Sequence, residues 1–379
     1  MTLLSPGVVQ RSIDQILHDR RIINTCGTGG VGKTTLSAAI ALRAAMLGKK
    51  AVVITIDPAK RLATSLGLKS LEDHPTDLTP QLKDAWAKAK AAGKKVPAEF
   101  SGTLAAIVPD TRRTFEAFVN ELAPNPAVAD RVMRNPIFQI FAKEFSGTNE
   151  YMALERLYAL DQLRTFDCII LDTPPSRNTL AFLQAPKLLA QFFEAGLIRW
   201  LVLPANKLLA AGMKKALGIL EKLTGAGFMT HLLDFASALF EVRVRFTANL
   251  HRIMELLASK DVGFVMVTVP APDTAPEALH FIKNVREHGF NFDGLALNRT
   301  LGYFETPPPA SAGAADKDGA LSEAFNVIRA LQAREKRVIE AITRDPIPLC
   351  AKLPELARDV HSVEDLFHVA LALDANYRL

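Results

Sequence analysis

The stretch Gly27-Thr28-Gly29-Gly30-Val31-Gly32-Lys33-Thr34 constrains this chain more than any other. It fits G-x-x-x-x-G-K-[ST], follows the β-branched run "RIINTC" (21–26) and opens the helical pattern "TLSAAIALRAAMLG". That strand–loop–helix setting is what the spacing needs in order to cradle a phosphate. The glycines let successive backbone N–H groups point into one concavity, and the helix N-terminus adds its partial positive charge. Lys33 is then placed to neutralise β- and γ-phosphates and the Thr34 hydroxyl to hold Mg²⁺, with Thr35 and the rest of the loop on the nucleotide. The expected ligands are a nucleotide and Mg²⁺, the nucleotide's base being left open by the loop itself.

The rest of the chain agrees with such a loop. Strand candidates are "AVVITI" (51–56), "LAAIV" (104–108), "CIIL" (168–171), "VGFVMVTV" (262–269) and "GLALN" (294–298), most of them separated by stretches long enough for a helix. Alternation of this kind implies an α/β, P-loop NTPase fold with a mostly parallel sheet flanked by helices. Two departures interrupt it: a polar, Lys-rich insertion over 69–103, and a wholly helical stretch over 186–260, read as an inserted subdomain. The core is therefore expected in two parts, 1–185 and 261–379. The Pro/Ala/Gly-rich segment 305–323 reads as a mobile surface loop. The sequence shows no internal repeat and no second phosphate loop.

Of 379 residues, 49% are hydrophobic and 22% charged, enough apolar side chain for a large core. The most apolar stretch, "AGLIRWLVLPANKLLAAGM", is broken by Arg199, Pro204, Asn206 and Lys207, so no stable membrane insertion is expected. The N-terminus lacks a basic start followed by an apolar run, and the expectation is a cytoplasmic protein. The net charge of +5 is largely local: "LKDAWAKAKAAGKK" holds five lysines and one aspartate. This reads as a solvated helix face and not as a nucleic-acid stripe, which needs basic residues spread over a face with aromatics among them. Three cysteines without a CxxC pair read as buried thiols; Cys26 and Cys168 fall in strand candidates, and Cys350 is placed just after another.

Two carboxylates join the loop as site candidates. Asp172 ends the apolar strand "FDCIILD", where the Mg²⁺ water shell is held beside such a loop, or it is an ordinary strand-end aspartate. Asp57 ends the strand after the loop's helix. It can orient the attacking water or take its proton, or it can serve as a helix N-cap.

Together, "GGVGKTT", "IDPAKRLATSLGL" and "LDTPPSRNTLAFL" resemble the anion-transporting ATPase family, whose members include the arsenical pump-driving ATPase and the ATPase that guides tail-anchored proteins to membranes. "GTNEYMALERL", "GLALNRT" and "PIPLCAKLPELARDVHSVEDL" extend the resemblance over most of the chain except 69–100 and the details of 186–260. The resemblance implies Asp57 as the water-activating residue of a first switch, Asp172 to Ser176 as a second switch, adenine packing against Asn298 and near Pro354, and a homodimer. The chain departs from the family at three points. A lysine that reaches the partner's nucleotide is replaced by Thr28; the first switch reads Asp57-Pro58-Ala59-Lys60-Arg61; and the second carries Arg177-Asn178. Arg177 or Arg61 is the candidate to supply the missing charge to catalysis, the alternative being solvated arginines. The cysteine pair that bridges targeting ATPases through zinc is absent, as are arsenite-binding cysteines, which argues against arsenite extrusion.

Within 206–246, Leu209, Met213, Ala216, Leu220 and Leu223, then Phe228, Leu232, Phe235, Leu239, Val242 and Phe246, recur at helical spacing. By resemblance this region builds a groove for a hydrophobic protein segment; the alternative is a helical lid packed on its own subunit. The leading expectation is an ATPase whose dimer closure controls such a client. The alternative is an ATP-timed regulatory or assembly factor that docks on a soluble partner. A positioning ATPase of the plasmid-partition type ranks below both, because the C-terminal helix carries few cations.

Overall fold

The computed structural model describes residues 10–55, 62, 63, 66, 74–94, 96–136, 139, 148–173, 227–301, 320–356 and 359–374. Its eight strands are β1 (Ile22–Gly27), β2 (Lys50–Thr55), β3 (Thr76–Asp77), β4 (Thr103–Ile107), β5 (Cys168–Asp172), β6 (Val262–Thr268), β7 (Phe292–Thr300) and β8 (Leu349–Pro354). They form one sheet in the order β3-β4-β2-β5-β1-β6-β7-β8. Every pairing is parallel except β3 with β4, so the chain folds as the mostly parallel α/β sheet its alternation implies. β1, β5 and β6 are buried along their whole length, which is why β5 and β6 read as nearly continuous apolar runs without alternation. Cys350 lies inside β8 and not after a strand. β8 is hard to read because Pro348 precedes it and Pro354 ends it, and an edge position tolerates them.

Helix α1 (Ile13–Asp19) precedes β1, and α2 (Lys33–Met46) follows the phosphate loop. Alanines 38, 39, 41, 44 and 45 make α2 thin enough to be buried on nearly every side, between the sheet and α10 (Val363–Ala372). Arg43 ties these helices together: its guanidinium donates to both carboxylate oxygens of Asp14 at 2.7 and 2.6 Å and lies 3.1 Å from Asp374. The Lys-rich insertion contributes α3 (Thr79–Ala91), which is more than a solvated helix. Leu82, Ala85 and Ala89 join the core shared by α2 and α10, while Lys83, Lys88 and Lys90 stay outside. Helices α8 (Thr274–Glu287) and α9 (Ala320–Ile342) complete this unit. α9 begins at Ala320, so the end of the stretch read as a 305–323 loop is helix; residues 305–319 lie outside the described residues.

A second compact unit comprises Pro109–Ala159 and Ala181–Leu257. Its described residues are largely helical: α4 (Thr111–Leu122), α5 (Pro126–Arg134), most of α6 (Thr148–Leu163) and α7 (Phe228–Ala258). The helical unit thus draws on sequence before β5 as well as after it. Phe118, Tyr151 and Phe246 meet with ring centroids 5.3, 5.4 and 5.5 Å apart. Phe235, Ala238, Val242, Phe246, Leu250, Ile253 and Leu257 line one buried stripe of α7. Residues 186–226, where part of the amphipathic pattern falls, lie outside the described residues. Among the described residues no helix is long and apolar enough to cross a membrane.

Candidate functional site

Sheet register assembles the site. Thr55 of β2 is the cross-strand partner of Asp172 on β5, and Asp172 is the partner of Thr25 on β1. Cross-strand partners share a face. Two residues back on each strand, Val53, Ile170 and Ile23 pack in the core with α2, so all three polar side chains meet the first turns of that helix.

Asp172 is 1% exposed and receives four side chains. Lys33 Nζ lies 3.0 Å from its Oδ1, and Thr34 Oγ1 donates to Oδ2 at 2.7 Å. Thr55 Oγ1 donates to Oδ2 at 2.8 Å, and Ser37 Oγ lies 3.3 Å from Oδ1. Lys33 Nζ also donates to the Thr173 carbonyl. Ser37, one turn beyond Lys33, is 2.8 Å from the Lys33 carbonyl and 2.5 Å from Thr25 Oγ1. The Thr173 hydroxyl donates to the Thr25 carbonyl at 2.8 Å. Burial pushes the neighbouring Cys26 thiol up to about 12, so it stays protonated.

The loop is held by close backbone approach. A Cβ on Gly27 would stand 2.4 Å from the Val267 carbonyl oxygen. Gly32 has φ +85°, and a Cβ there would stand 2.3 Å from Asn298 Nδ2. That amide donates to the Val31 carbonyl at 2.8 Å, so Asn298 pins the phosphate loop in addition to facing the space expected for a base. The Thr28 hydroxyl is buried and has no hydrogen-bond partner among the described residues. An orphaned hydroxyl costs about 1–3 kcal/mol, and a phosphate oxygen on the loop would satisfy it.

Beside the loop lies a cleft of about 300 Å³. Gly32, Thr35, Asn298 and Pro354 line it, with Val360 and Val369 among its apolar walls. The structure therefore brings together Gly27 to Thr35, Asp172, Asn298 and Pro354. Asp57, Arg61 and Arg177 lie outside the described residues. Thr34 and Asp172 are hard oxygen donors 2.7 Å apart, a set that fits Mg²⁺. Sequence reasoning missed Thr25, Ser37 and Thr55, whose only signal is a hydroxyl in a segment read as buried.

The profile of the anion-transporting ATPase family matches residues 20–307. A protein of Aquifex aeolicus provisionally named arsenical pump-driving ATPase 2 is 26% identical over 287 residues, 73% of this chain and 78% of its own length. ATPase ARSA1 of Chlamydomonas reinhardtii is 24% identical over 75% of this chain and 36% of its own length. ATPase get3 of Schizosaccharomyces pombe is 27% identical over 188 residues, 48% of each chain. The chain thus spans about half the length of the one and about a third of the other.

Proposed function

The chain belongs to the anion-transporting ATPase family and is an ATP hydrolase, and from that premise we propose that ATP turnover at the Lys33–Asp172 site switches a homodimer between two states of its helical units, one of which holds a hydrophobic segment of another protein. The observation that carries this reading is connectivity. β5 ends at Asp172, and the helical unit resumes at Ala181. A short segment therefore leads from the carboxylate that answers to the nucleotide into the part that would answer to a client. α6 joins the same strand from the other side, since it runs out of the helical unit at Ala159. Ordering of such segments by a γ-phosphate, and their release on hydrolysis, is a common switching device.

In this reading Lys33, Thr28 and the loop N–H groups bind the phosphates, and Asn298 and Pro354 border the base. Thr34 and Asp172 hold Mg²⁺, which when bound neutralises charge on the β- and γ-phosphate oxygens. Asp57 activates the water, and Arg177 or Arg61 supplies the charge that Thr28 lacks. Arsenite is disfavoured as cargo because Cys26, Cys168 and Cys350 stand buried on three different strands, each pushed up to about 12 by burial. One observation favours the second reading, a timer docking on a soluble partner: from Phe235 to Leu257 the apolar stripe of α7 is buried.

An Asp57→Asn variant, expected to bind ATP and hydrolyse it poorly, separates the two. Mass spectrometry of what co-purifies in ATP and not in ADP should return proteins with a single apolar helix. Enrichment of one soluble protein instead would establish the docking reading, and no ATP-dependent enrichment would sink both.

A further inference from the structure

We propose that Thr55 and the Thr25–Ser37 hydroxyl pair are positioning residues, which keep Asp172 aimed at the metal once nucleotide draws Lys33 away. The inference rests on the reading that Asp172 holds the nucleotide's divalent cation. As the site stands, Lys33 Nζ is the nearest donor to Asp172 Oδ1, at 3.0 Å. A γ-phosphate on the loop competes with this carboxylate and with the Thr173 carbonyl for the ammonium. When it leaves, Oδ1 loses its charge-assisted partner in a site with almost no solvent, and a buried carboxylate without donors is costly.

The replacement is already in place. Ser37 has one hydroxyl proton and two acceptors within reach, the Lys33 carbonyl at 2.8 Å and Asp172 Oδ1 at 3.3 Å. Thr25 also has one proton and two choices, the Leu171 carbonyl at 3.1 Å and Ser37 Oγ at 2.5 Å. Rotation of both hydroxyls lets Ser37 donate to Oδ1 while Thr25 donates to Ser37, and no proton changes its oxygen. Thr55 acts on the other carboxylate oxygen, donating to Oδ2 at 2.8 Å beside Thr34. Thr55 comes from the neighbouring strand and not from the phosphate loop. All of Thr25, Ser37 and Thr55 are fully buried, which leaves water unable to substitute for them.

The test measures Mn²⁺ affinity by electron paramagnetic resonance in the full chain with a non-hydrolysable ATP analogue, alongside analogue affinity without metal and melting temperature. Thr55→Val and Ser37→Ala should each weaken Mn²⁺ binding about 10-fold or more. Metal-free analogue affinity should stay within about twofold, and Thr55→Ser should restore the metal. A uniform loss of fold would lower metal and analogue binding together and would not be rescued by serine. Asp172→Asn separates the two levels of the argument. If it loses Mn²⁺ while Thr55→Val and Ser37→Ala keep wild-type affinity, the positioning role falls and the metal site stands. Unchanged Mn²⁺ binding in Asp172→Asn removes both.

Discussion

Asp172 and Glu155 are both buried carboxylates, one in each unit, and their surroundings could hardly differ more. Asp172 receives an ammonium and three hydroxyls. Glu155 receives two neutral donors, Tyr151 Oη at 2.6 Å and Asn249 Nδ2, and its acidic neighbour Glu121 adds repulsion. Burial, which outweighs the Tyr151 hydrogen bond, raises Glu155 from an ordinary 4.5 to about 7. The same functional group thus serves two ends. With a cation and donors that a ligand can displace, it makes a site; with neutral donors from two packed helices, it makes a joint that holds α6 to α7 and carries a proton near neutral pH.

The largest effect that sharpens this contrast is expected at Asp172. Asp172→Asn should reduce ATP turnover by ~10³-fold and lower the melting temperature, because Lys33 is left buried without its carboxylate. Near-wild-type steady-state hydrolysis would mean that the site is misassigned. Glu155→Gln should act in the opposite direction. Because the folded pKa lies above the unfolded one, the unfolded chain loses its proton first as pH rises. Stability therefore falls between about pH 4.5 and 7 and levels off above. Relative to wild type the amide should leave denaturant stability nearly unchanged at pH 5 and raise it at pH 8, by on the order of 2–3 kcal/mol. Equal differences at the two pH values would show that Glu155 ionises without penalty.

Tyr151→Phe comes next, at about 1 kcal/mol. Removing a donor that favours the ionised form should also move the pH at which stability levels off upward, and a downward shift would break the assignment of that hydrogen bond. The smallest effect concerns groups in the first unit that, like Glu155, are raised chiefly by burial. Cys26, Cys168 and Cys350 are each pushed up to about 12 by burial. At pH 8 the native thiols should react with an alkylating reagent at least ~100-fold more slowly than in the unfolded chain, read by mass spectrometry. Rapid labelling of any one would show that its strand opens.

The loop from Gly27 to Thr34 was legible because its chemistry is local: glycines, a lysine and a hydroxyl at fixed spacing between a strand and a helix. The parallel sheet was legible for a related reason, since strands buried on both faces are written as largely apolar runs. β8 was not, because a proline precedes this edge strand and another ends it, and the Lys-rich insertion hid the small apolar face of α3, on which Leu82, Ala85 and Ala89 are buried. The side chains that orient Asp172 were illegible for a deeper reason. Thr55 and Asp172 are 117 residues apart, Asn298 and the Val31 carbonyl 267, and Glu155 and Asn249 94. Periodicity states which face of an element is buried, and it is silent on which element lies alongside and in what register. By itself the sequence determined that this chain binds a nucleotide on a parallel α/β sheet. Only the tertiary structure decided which hydroxyls hold the carboxylate, which amide pins the loop and which glutamate burial raises to about 7, because each depends on register and desolvation between segments that local spacing does not connect.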